Sequence, residues 1–417
     1  MINGSRSIFG LAGLGALVAL SAGATGRFPD EVRLGGTLPL SGGEAGTGAL
    51  FREGYELAVE QANRRGGVQV GEKRLPVKLI LRDDASDKAA GVSGAEGLLA
   101  DDGADFLLGT YNSAMVEMQS IVAEKQGVPY MAGGAAAAEL FAKNQRYLFG
   151  VPAPVKMLAY AEMGWIEEQQ TAGRLPKPAR IALMVEETAH GREFRTGVLK
   201  SIERSPSSWK VVLDEHFPLN AKDFRPLISK VKEAAVDVYL ADVHVPDFIA
   251  MHREYLAAKL CISVVSYGSR GSEKEAAKEL GAENVAYVLS GVFWNDQLGS
   301  KGLNREFVDG FRKKYGRNPV FYNALAYEAV RAMLAGIEAA GSVDREKVRA
   351  ALAALKMETI LPSGTLSFPA AYGQQAHYPF LVQQNQPDGS LPIVYPGYLA
   401  TALGKLDPRC ARGRPRQ

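Results

Sequence analysis

The chain has little cysteine and almost no excess of charge. Cys261 and Cys410 are its only cysteines among 417 residues, which excludes a disulfide scaffold. Arg6 adds one positive charge and the tail from Lys405 adds four, so the remainder of a chain whose net charge is +2 carries −3. A body without surplus positive charge has no basic surface for phosphates, so we expect no nucleic-acid partner.

Sequence motifs for common cofactors and catalytic centres are also missing. No G-x-G-x-x-G follows the first predicted strand, and no phosphate-binding P-loop is present. The five histidines are scattered without H-E-x-x-H or C-x-x-C, and no G-x-S-x-G occurs. We therefore predict a protein that is not an enzyme and that uses no cofactor and no metal. An exported α/β enzyme with His190 or His244 as general base is the less favoured alternative.

The N-terminus has the pattern of a secretory signal peptide. Arg6 precedes an apolar run, residues 8–20, and Ala22-Gly23-Ala24 supplies a small-x-small cleavage site. The run is shorter than the ~20 residues of a spanning helix, which makes an uncleaved anchor the weaker alternative. We predict cleavage after Ala24, a signal peptide over residues 1–24 and export to the periplasm.

Beyond the leader, short β-like runs alternate with amphipathic helical stretches. The pattern begins with a strand from Val32 to Leu40 and runs twice through the chain, with a break at Pro152 and Pro154. Strict alternation predicts an α/β fold with parallel sheets covered on both faces. Three consecutive helices follow, and a turn signal at residues 387–390 predicts a β-hairpin.

The two cysteines leave two structural alternatives. They can form one disulfide bond, or Cys261 can pack in the core while Cys410 stays free in the tail. We favour the second alternative, because buried unpaired cysteine is common and residues 401–417 have the composition of a flexible basic tail.

Ligand-binding candidates follow from where the predicted strands end. In open α/β sheets a ligand binds beyond the carboxyl ends of the strands, near helix N-termini. Small, hydroxyl, imidazole and indole side chains follow these ends, although each could instead have only a structural role. The candidates are Tyr111, Ser113, Gly134, Ala135 and Ala136 in the first block, and His190, His244 and Trp294 in the second.

Several stretches, in order and spacing, resemble one known family. They are Gly36 to Gly42, Gly54-x-x-x-Ala58, Asn63 with Gly66-Gly67-Val68, Asp83-Asp84 with Asp87, Leu108-Gly109, Ala123 to Pro129, Tyr147-x-Phe149-Gly150, Phe311-x-x-x-Tyr315-Gly316 and Ala326 to Ala329. Together they resemble the solute-binding proteins of branched-chain and hydrophobic amino-acid ABC transporters. The resemblance extends from about Val32 to Tyr398.

The resemblance implies a type I periplasmic binding protein, in which two Rossmann-like lobes are joined by three hinge crossovers. It places one lobe at residues 28–150 plus 295–361 and the other at 151–294 plus 362–400. The crossovers fall near residues 150–154, 290–294 and 361–364. Such a protein is a monomer that closes on a small molecule and delivers it to an ABC permease. A ligand-sensing receptor module is the alternative with the same architecture.

The resemblance also implies site residues. Ser113 and the backbone of residues 134–136 match the carboxylate-binding positions of the amino-acid binders. The hydroxyl and acidic positions that hold the ammonium group fall at Ala136 and Gly268, where neither group is present. Thr47, His190 and His244 stand where aromatic residues are expected. The implied ligand is a small carboxylate, either an amino acid or a related organic acid.

Two sets of charged residues bear on that choice. Arg270, near Gly268, could bind a second acidic group or be a solvated loop residue. Asp242, Glu186 or Glu187 could replace the missing acid from a neighbouring strand end.

Overall fold

The computed structural model describes Met1, residues 30–298 and residues 302–410. The first block of the described chain is β1 (Val32–Leu38), α1 (Ala45–Arg64), β2 (Val68–Val70), β3 (Lys73–Leu75), β4 (Val77–Asp83), α2 (Lys88–Ala100), β5 (Phe106–Leu108), α3 (Ser113–Gln126), β6 (Tyr130–Ala132), α4 (Ala138–Phe141) and β7 (Leu148–Gly150). The second block is α5 (Val155–Thr171), β8 (Ala179–Glu186), α6 (Ala189–Arg204), β9 (Trp209–Phe217), α7 (Arg225–Ala234), β10 (Val238–Asp242), α8 (Val245–Ala257), β11 (Val264–Ser266), α9 (Lys274–Leu280) and β12 (Leu289–Val292). The remaining elements are α10 (Gly302–Tyr315), α11 (Phe321–Ala340), α12 (Arg345–Ala353), β13 (Lys356–Glu358), β14 (Thr365–Ser367), β15 (Leu381–Gln384) and β16 (Ile393–Tyr395).

The first lobe is built on a parallel sheet of strand order β4-β1-β5-β6-β7. Strand β1 is buried at six of its seven positions, since helices cover both faces of the sheet. A strand of this kind has a nearly continuous apolar sequence, which is why the alternation predicts it well. Helix α11 returns to this lobe and packs against α1, where its small and apolar residues are buried.

The second lobe has a sheet of strand order β16-β15-β12-β11-β10-β8-β9. Strands β8 to β12 pair in parallel, whereas β15 and β16 join the edge in antiparallel orientation. The hairpin predicted around residues 387–390 is therefore present. The predicted α/β fold with two parallel-sheet lobes is confirmed, and the short hairpins β2–β3 and β13–β14 were not predicted.

The chain passes between the lobes three times. It leaves the first sheet after β7, leaves the second after β12, and returns before β15. The third passage differs from the expected position near residues 361–364. Gly150 N–H donates to the carbonyl of Gln374 at 3.1 Å, and Ala376 N–H donates to the carbonyl of Gly150 at 2.8 Å. The chain thus stays beside β7 until about Ala376, because this short stretch continues the edge of the first sheet.

The cysteines and the tail also differ from expectation. Cys261 and Cys410 form a disulfide bond, so Cys410 is not free. Arg409 donates to the carbonyls of Glu283 and Ala286 at 2.8 and 3.2 Å, which docks the segment on the second lobe. Composition does not reveal these contacts, since they join residues far apart in sequence. Residues 411–417 of the predicted tail, and residues 2–24 of the predicted signal peptide, lie outside the described residues.

Candidate functional site

A cavity of about 750 Å³ lies between the lobes, at the carboxyl ends of both sheets. Most of the residues proposed from the sequence line it: Tyr111, Ser113, Gly134, Ala136, His190, His244 and Arg270. The reason is topological, because the loops that follow parallel strands all emerge at the same edge of a sheet.

Four of the proposed residues do not line the cavity. Thr47 lies in the first turn of α1, and Ala135 is fully buried within the loop after β6. Gly268 is buried beside Asp242, since a Cβ atom built on it would lie 2.5 Å from Asp242 Oδ1, and of the two only Asp242 lines the cavity. Trp294 is buried against Phe307 with its indole N–H donating to Asn304 Oδ1 at 2.7 Å, so it packs beside the crossover and does not stack on a ligand.

Ser113 is placed to bind an anion from the first lobe. It is the first residue of α3, and the Asn112 side chain caps this helix by accepting the N–H of Met115 at 2.9 Å. Ser113 Oγ accepts the N–H groups of Ala136 and Ala137 at 3.3 and 3.2 Å. The hydroxyl proton has no acceptor among the described residues, so it is available to a ligand oxygen at a helix N-terminus, where negative charge is favoured.

Gly134 allows two site loops to approach each other closely. It pairs with Tyr111 in an isolated parallel bridge, which aligns the loops after β5 and β6. A Cβ atom at position 134 would lie 2.4 Å from the carbonyl oxygen of Thr110 and 2.8 Å from the Cα of Tyr111. Only glycine therefore permits the pairing that brings Ser113 and Ala136 together.

An aromatic wall closes the apolar side of the cavity. The rings of Phe51, Tyr111 and Tyr322 pack with centroids 5.8–6.2 Å apart, and Phe293 and Phe321 continue the wall. The sequence placed Thr47, His190 and His244 where aromatic residues were expected, and only Tyr111 of this wall was proposed from it. The sequence feature that could have indicated the rest of the wall is the Phe321-Tyr322 pair at the start of α11. This pair is far from the other site loops in sequence.

Arg270 is not a solvated loop residue. It is 8% exposed and lies over the rings of Tyr111 and Tyr322, with its guanidinium carbon 5.4 Å from each centroid. Its guanidinium donates to the Tyr111 hydroxyl and lies 3.7 Å from the carboxylate of Glu273. Tyr322 also donates its hydroxyl to Glu273 at 3.1 Å, so Arg270 and Glu273 of the second lobe contact the first.

Each histidine of the cavity is held by one carboxylate. His190 Nδ1 lies 2.6 Å from Asp242 Oδ2, and His244 Nδ1 lies 2.5 Å from Glu186 Oε2. Glu186 Oε1 also accepts the backbone N–H of His244 at 2.6 Å. These contacts occupy Nδ1 of both rings and leave each Nε2 without a protein partner in the described part of the chain.

Burial and neighbouring charges shift the pKa values around His244. Burial alone would lower the pKa of His244, but the hydrogen bond and the charge of Glu186 together raise it above its ordinary value. Burial raises the pKa of Asp247 to about 6. Burial likewise raises the pKa of Glu273 to about 7, against the opposing charge of Arg270.

Within residues 30–298 and 302–410, no three or more His, Cys, Asp or Glu side chains are grouped to hold a metal ion. In the same ranges no helix has both the length and the apolar character needed to cross a membrane.

A family profile described as periplasmic binding protein matches residues 31–390. The chain belongs to the periplasmic binding protein family. It is 28% identical to the Leu/Ile/Val-binding protein homolog 8 of Brucella suis, over 95% of this chain and 98% of that relative. This confirms the resemblance to the solute-binding proteins of branched-chain amino-acid ABC transporters.

Solved structures of periplasmic binding proteins support the same fold. The leucine-binding protein LivK of Thermotoga maritima has a TM-score of 0.74 at 20% identity and covers 87% of this chain and 97% of its own. A solute-binding protein of R. palustris in complex with benzoate has a TM-score of 0.71 at 20% identity, covering 91% and 98%. At such identities the likeness establishes the type I periplasmic binding fold.

Proposed function

We propose that this protein is the extracytoplasmic solute-binding component of an ABC uptake system. It captures a small carboxylate-bearing solute, an amino acid or a related organic acid, between its lobes. The ligand contacts both lobes and stabilises the closed arrangement by its higher affinity for it, and the closed monomer delivers the solute to a permease. The predicted signal peptide supports a periplasmic location for the mature protein.

The carboxylate site carries this proposal. Ser113 offers an unused hydroxyl proton at the N-terminus of α3, beside the backbone amides of residues 136 and 137. The free hydroxyl proton and the helix N-terminus suit a carboxylate, and the aromatic wall suits an apolar or aromatic side chain. Relatives are named for leucine, isoleucine and valine, and neighbours in fold hold isoleucine or benzoate, all carboxylate-bearing solutes.

Isothermal titration of the mature protein, freed of copurified ligand, tests the proposal. We expect at least one member of a panel of amino acids and organic acids to bind, and Ser113→Ala to weaken that binding about tenfold or more, since hydrogen bonds to charged groups contribute about 1.5–3 kcal/mol. Ser93→Ala is the matched control, because Ser93 is exposed on α2 and bonds only within its own helix. Ligand binding that Ser113→Ala leaves unchanged would contradict the proposed site.

A further inference from the structure

Arg270 reaches the cavity from a short turn that follows β11. Residues 268–270 form a single 3₁₀ turn, in which the N–H of Arg270 donates to the carbonyl of Tyr267 at 3.1 Å. Gly268 begins this turn with φ of +58°, in the left-handed region that glycine adopts without strain. The Arg270 side chain therefore starts beyond the carboxyl end of the second sheet, and it lines the cavity.

The guanidinium of Arg270 has more donors than the protein uses. In the described part of the chain only one of its N–H bonds has an acceptor, which is the hydroxyl of Tyr111. The carboxylate of Glu273 lies 3.7 Å away, which is an ion-pair distance but too long for a hydrogen bond. Because the residue is only 8% exposed, its remaining N–H groups gain little from bulk water.

Neighbouring carboxylates neutralise Arg270 only in part. Burial raises the pKa of Glu273 to about 7, so much of this carboxyl is uncharged near neutral pH. Asp242 is paired with His190, and Glu44 is half-buried on the first lobe. Both act on Arg270 by their charge, but neither forms an ion pair with it.

The other acids near the cavity have different partners or lie in solvent. Both oxygens of Glu186 are engaged by His244, and Glu187 is exposed at the cavity mouth. The acids on the first-lobe rim pair with Lys143 and Arg192. Within the described residues, the buried guanidinium therefore has no hydrogen-bonded carboxylate, although such a group is its strongest partner.

The aromatic wall lies in the same cavity as Arg270 and Ser113. The guanidinium carbon is 5.4 Å from the ring centroids of Tyr111 and Tyr322, so it adjoins the faces of two rings of the wall. Ser113 belongs to the first lobe and Arg270 to the second. An apolar body with one acidic group at each end would therefore contact both lobes and the wall.

We propose that Arg270 binds a second acidic group of the ligand, and that the solute is therefore a dicarboxylic acid with an apolar body. This rests on the proposed function, because the first carboxylate is placed at Ser113. A planar guanidinium binds both oxygens of a carboxylate through parallel N–H···O bonds, which gives specificity as well as energy. A ligand with a methyl group in that place leaves buried donors unpaired, and this mismatch costs binding free energy.

Matched pairs of acids test the proposal on the unmodified mature protein. In each pair both members keep one carboxylate, and a terminal carboxylate in one replaces a methyl group in the other. Isothermal titration compares adipate with hexanoate, L-2-aminoadipate with L-norleucine, and terephthalate with 4-methylbenzoate, after removal of copurified ligand. We expect the dicarboxylic member of at least one pair to bind at least tenfold more tightly than its partner.

The other outcomes separate this inference from the proposed function. Equal binding of both members, or binding confined to acids with a single carboxylate, would overturn the second acid site but leave the carboxylate proposal intact. If no organic acid and no amino acid binds, the proposed function fails, and this inference with it.

Variants then assign the preference to Arg270. Arg270→Gln removes the charge, so we expect it to abolish the preference for the dicarboxylic member. Arg270→Lys keeps the charge without the planar pair of donors and should reduce the preference. The ratio of the two affinities is the readout, because loss of the contact with Tyr111 would weaken both members alike.

Two further variants separate ligand binding from a structural role. Glu273→Gln removes a charge that competes for the guanidinium, so we expect the preference to persist or to increase. Arg253→Gln is the matched control, because Arg253 is an exposed second-lobe arginine that lies 3.6 Å from Glu279. We expect it to leave the preference unchanged. A preference that persists in Arg270→Gln, or that Glu273→Gln abolishes, would overturn the assignment.

Discussion

Individual residues at the proposed site have a structural role beside the binding role that we propose. Ser113 Oγ accepts two backbone N–H groups, which holds the loops after β5 and β6 together, and its hydroxyl proton remains available. Glu186 is similar, because its two oxygens orient His244 through its backbone and its ring. Substituting such a residue therefore affects folding stability as well as affinity, and the two must be measured separately.

The stability contributed by His244 should depend on pH. Because the folded-state pKa of His244 is raised, its contribution is fully present below about pH 6.5, the ordinary value, and is lost as the pH rises through the folded-state pKa. At pH 5.5 we expect His244→Gln to cost about 3 kcal/mol, as for removal of one partner of a buried pair, and to cost less at pH 8.5. Urea denaturation at both pH values measures this difference.

The neighbouring carboxyl of Asp247 titrates in the same range, since burial raises its pKa to about 6. Asp247→Asn introduced into both proteins removes that contribution from the comparison. The charges of Glu186, Arg270 and Glu44 also act on His244 and are retained in both. A cost of His244→Gln that is equal at the two pH values, or greater at pH 8.5, would contradict the assignment.

At the scale of elements, helix termini form contacts between the lobes. Glu193 on α6 accepts the N–H of Ala138 at the start of α4 at 2.5 Å, and the N–H of Lys156 in the first turn of α5 at 3.3 Å. Helix α4 belongs to the first lobe, while α5 and α6 belong to the second. Burial raises the pKa of Glu193, as expected for a carboxylate enclosed between two lobes.

Glu193→Gln should weaken closure. The substitution replaces a charge-assisted bond across the cleft by a neutral one, so we expect ligand affinity to fall about tenfold, equivalent to about 1.4 kcal/mol. Arg192→Gln is the matched control on the same helix, because its ion pair with Glu139 also joins the lobes but both side chains are 56% exposed. We expect it to change affinity no more than about twofold. Equal effects of the two variants on the titrated affinity would contradict this role of Glu193.

The disulfide bond should stabilise the second lobe without affecting binding. It closes a loop between residues 149 positions apart, and removing a native disulfide typically costs about 2–5 kcal/mol. We expect the double variant Cys261→Ser/Cys410→Ser to lose this amount in urea denaturation and to be insensitive to reductant. Its ligand affinity should equal that of the wild type, because Cys261 precedes β11 and the cavity lies beyond the opposite end of that strand. A stability equal to that of the oxidised wild type would contradict the prediction.

At the scale of the whole molecule, the two lobes share a site that neither completes alone. The first lobe supplies Ser113 and most of the aromatic wall, and the second supplies Phe293, the histidines, Asp242 and Arg270. A ligand that contacts both lobes shifts the population toward the closed arrangement by its differential affinity for it.

Ligand should therefore compact and stabilise the protein together. At a concentration about 100 times the dissociation constant, bound ligand adds about 2.7 kcal/mol to the free energy of unfolding, which raises the melting temperature by several degrees. Small-angle X-ray scattering of the same samples should show a smaller radius of gyration with ligand. A scattering profile that ligand leaves unchanged, despite a rise in melting temperature, would contradict hinge closure.

Much of the architecture and part of the site follow from the sequence alone. Strands such as β1 and helices such as α11 are recognised by local periodicity, and their alternation determines a parallel-sheet fold because few connections are sterically allowed. Ser113 was found because it follows a strand and begins a helix, which is also a local signal. The missing motifs argue against the common catalytic centres, and the near-balance of charge argues against a nucleic-acid partner. Both are visible in the sequence without knowledge of the fold.

Other features depended on contacts between distant parts of the chain. The disulfide bond joins residues 149 positions apart, and the contact of Arg270 with Tyr111 joins residues 159 positions apart. The aromatic wall is likewise assembled from separate segments of the chain. The choice among Asp242, Glu186 and Glu187 likewise depends on which oxygens neighbouring strands leave unpaired. The sequence by itself determined the family fold and the edge of the sheets where the cavity lies, because both follow from the order of elements. Only the tertiary structure decided which side chains face the cavity, because that depends on packing and hydrogen bonds between elements remote in sequence.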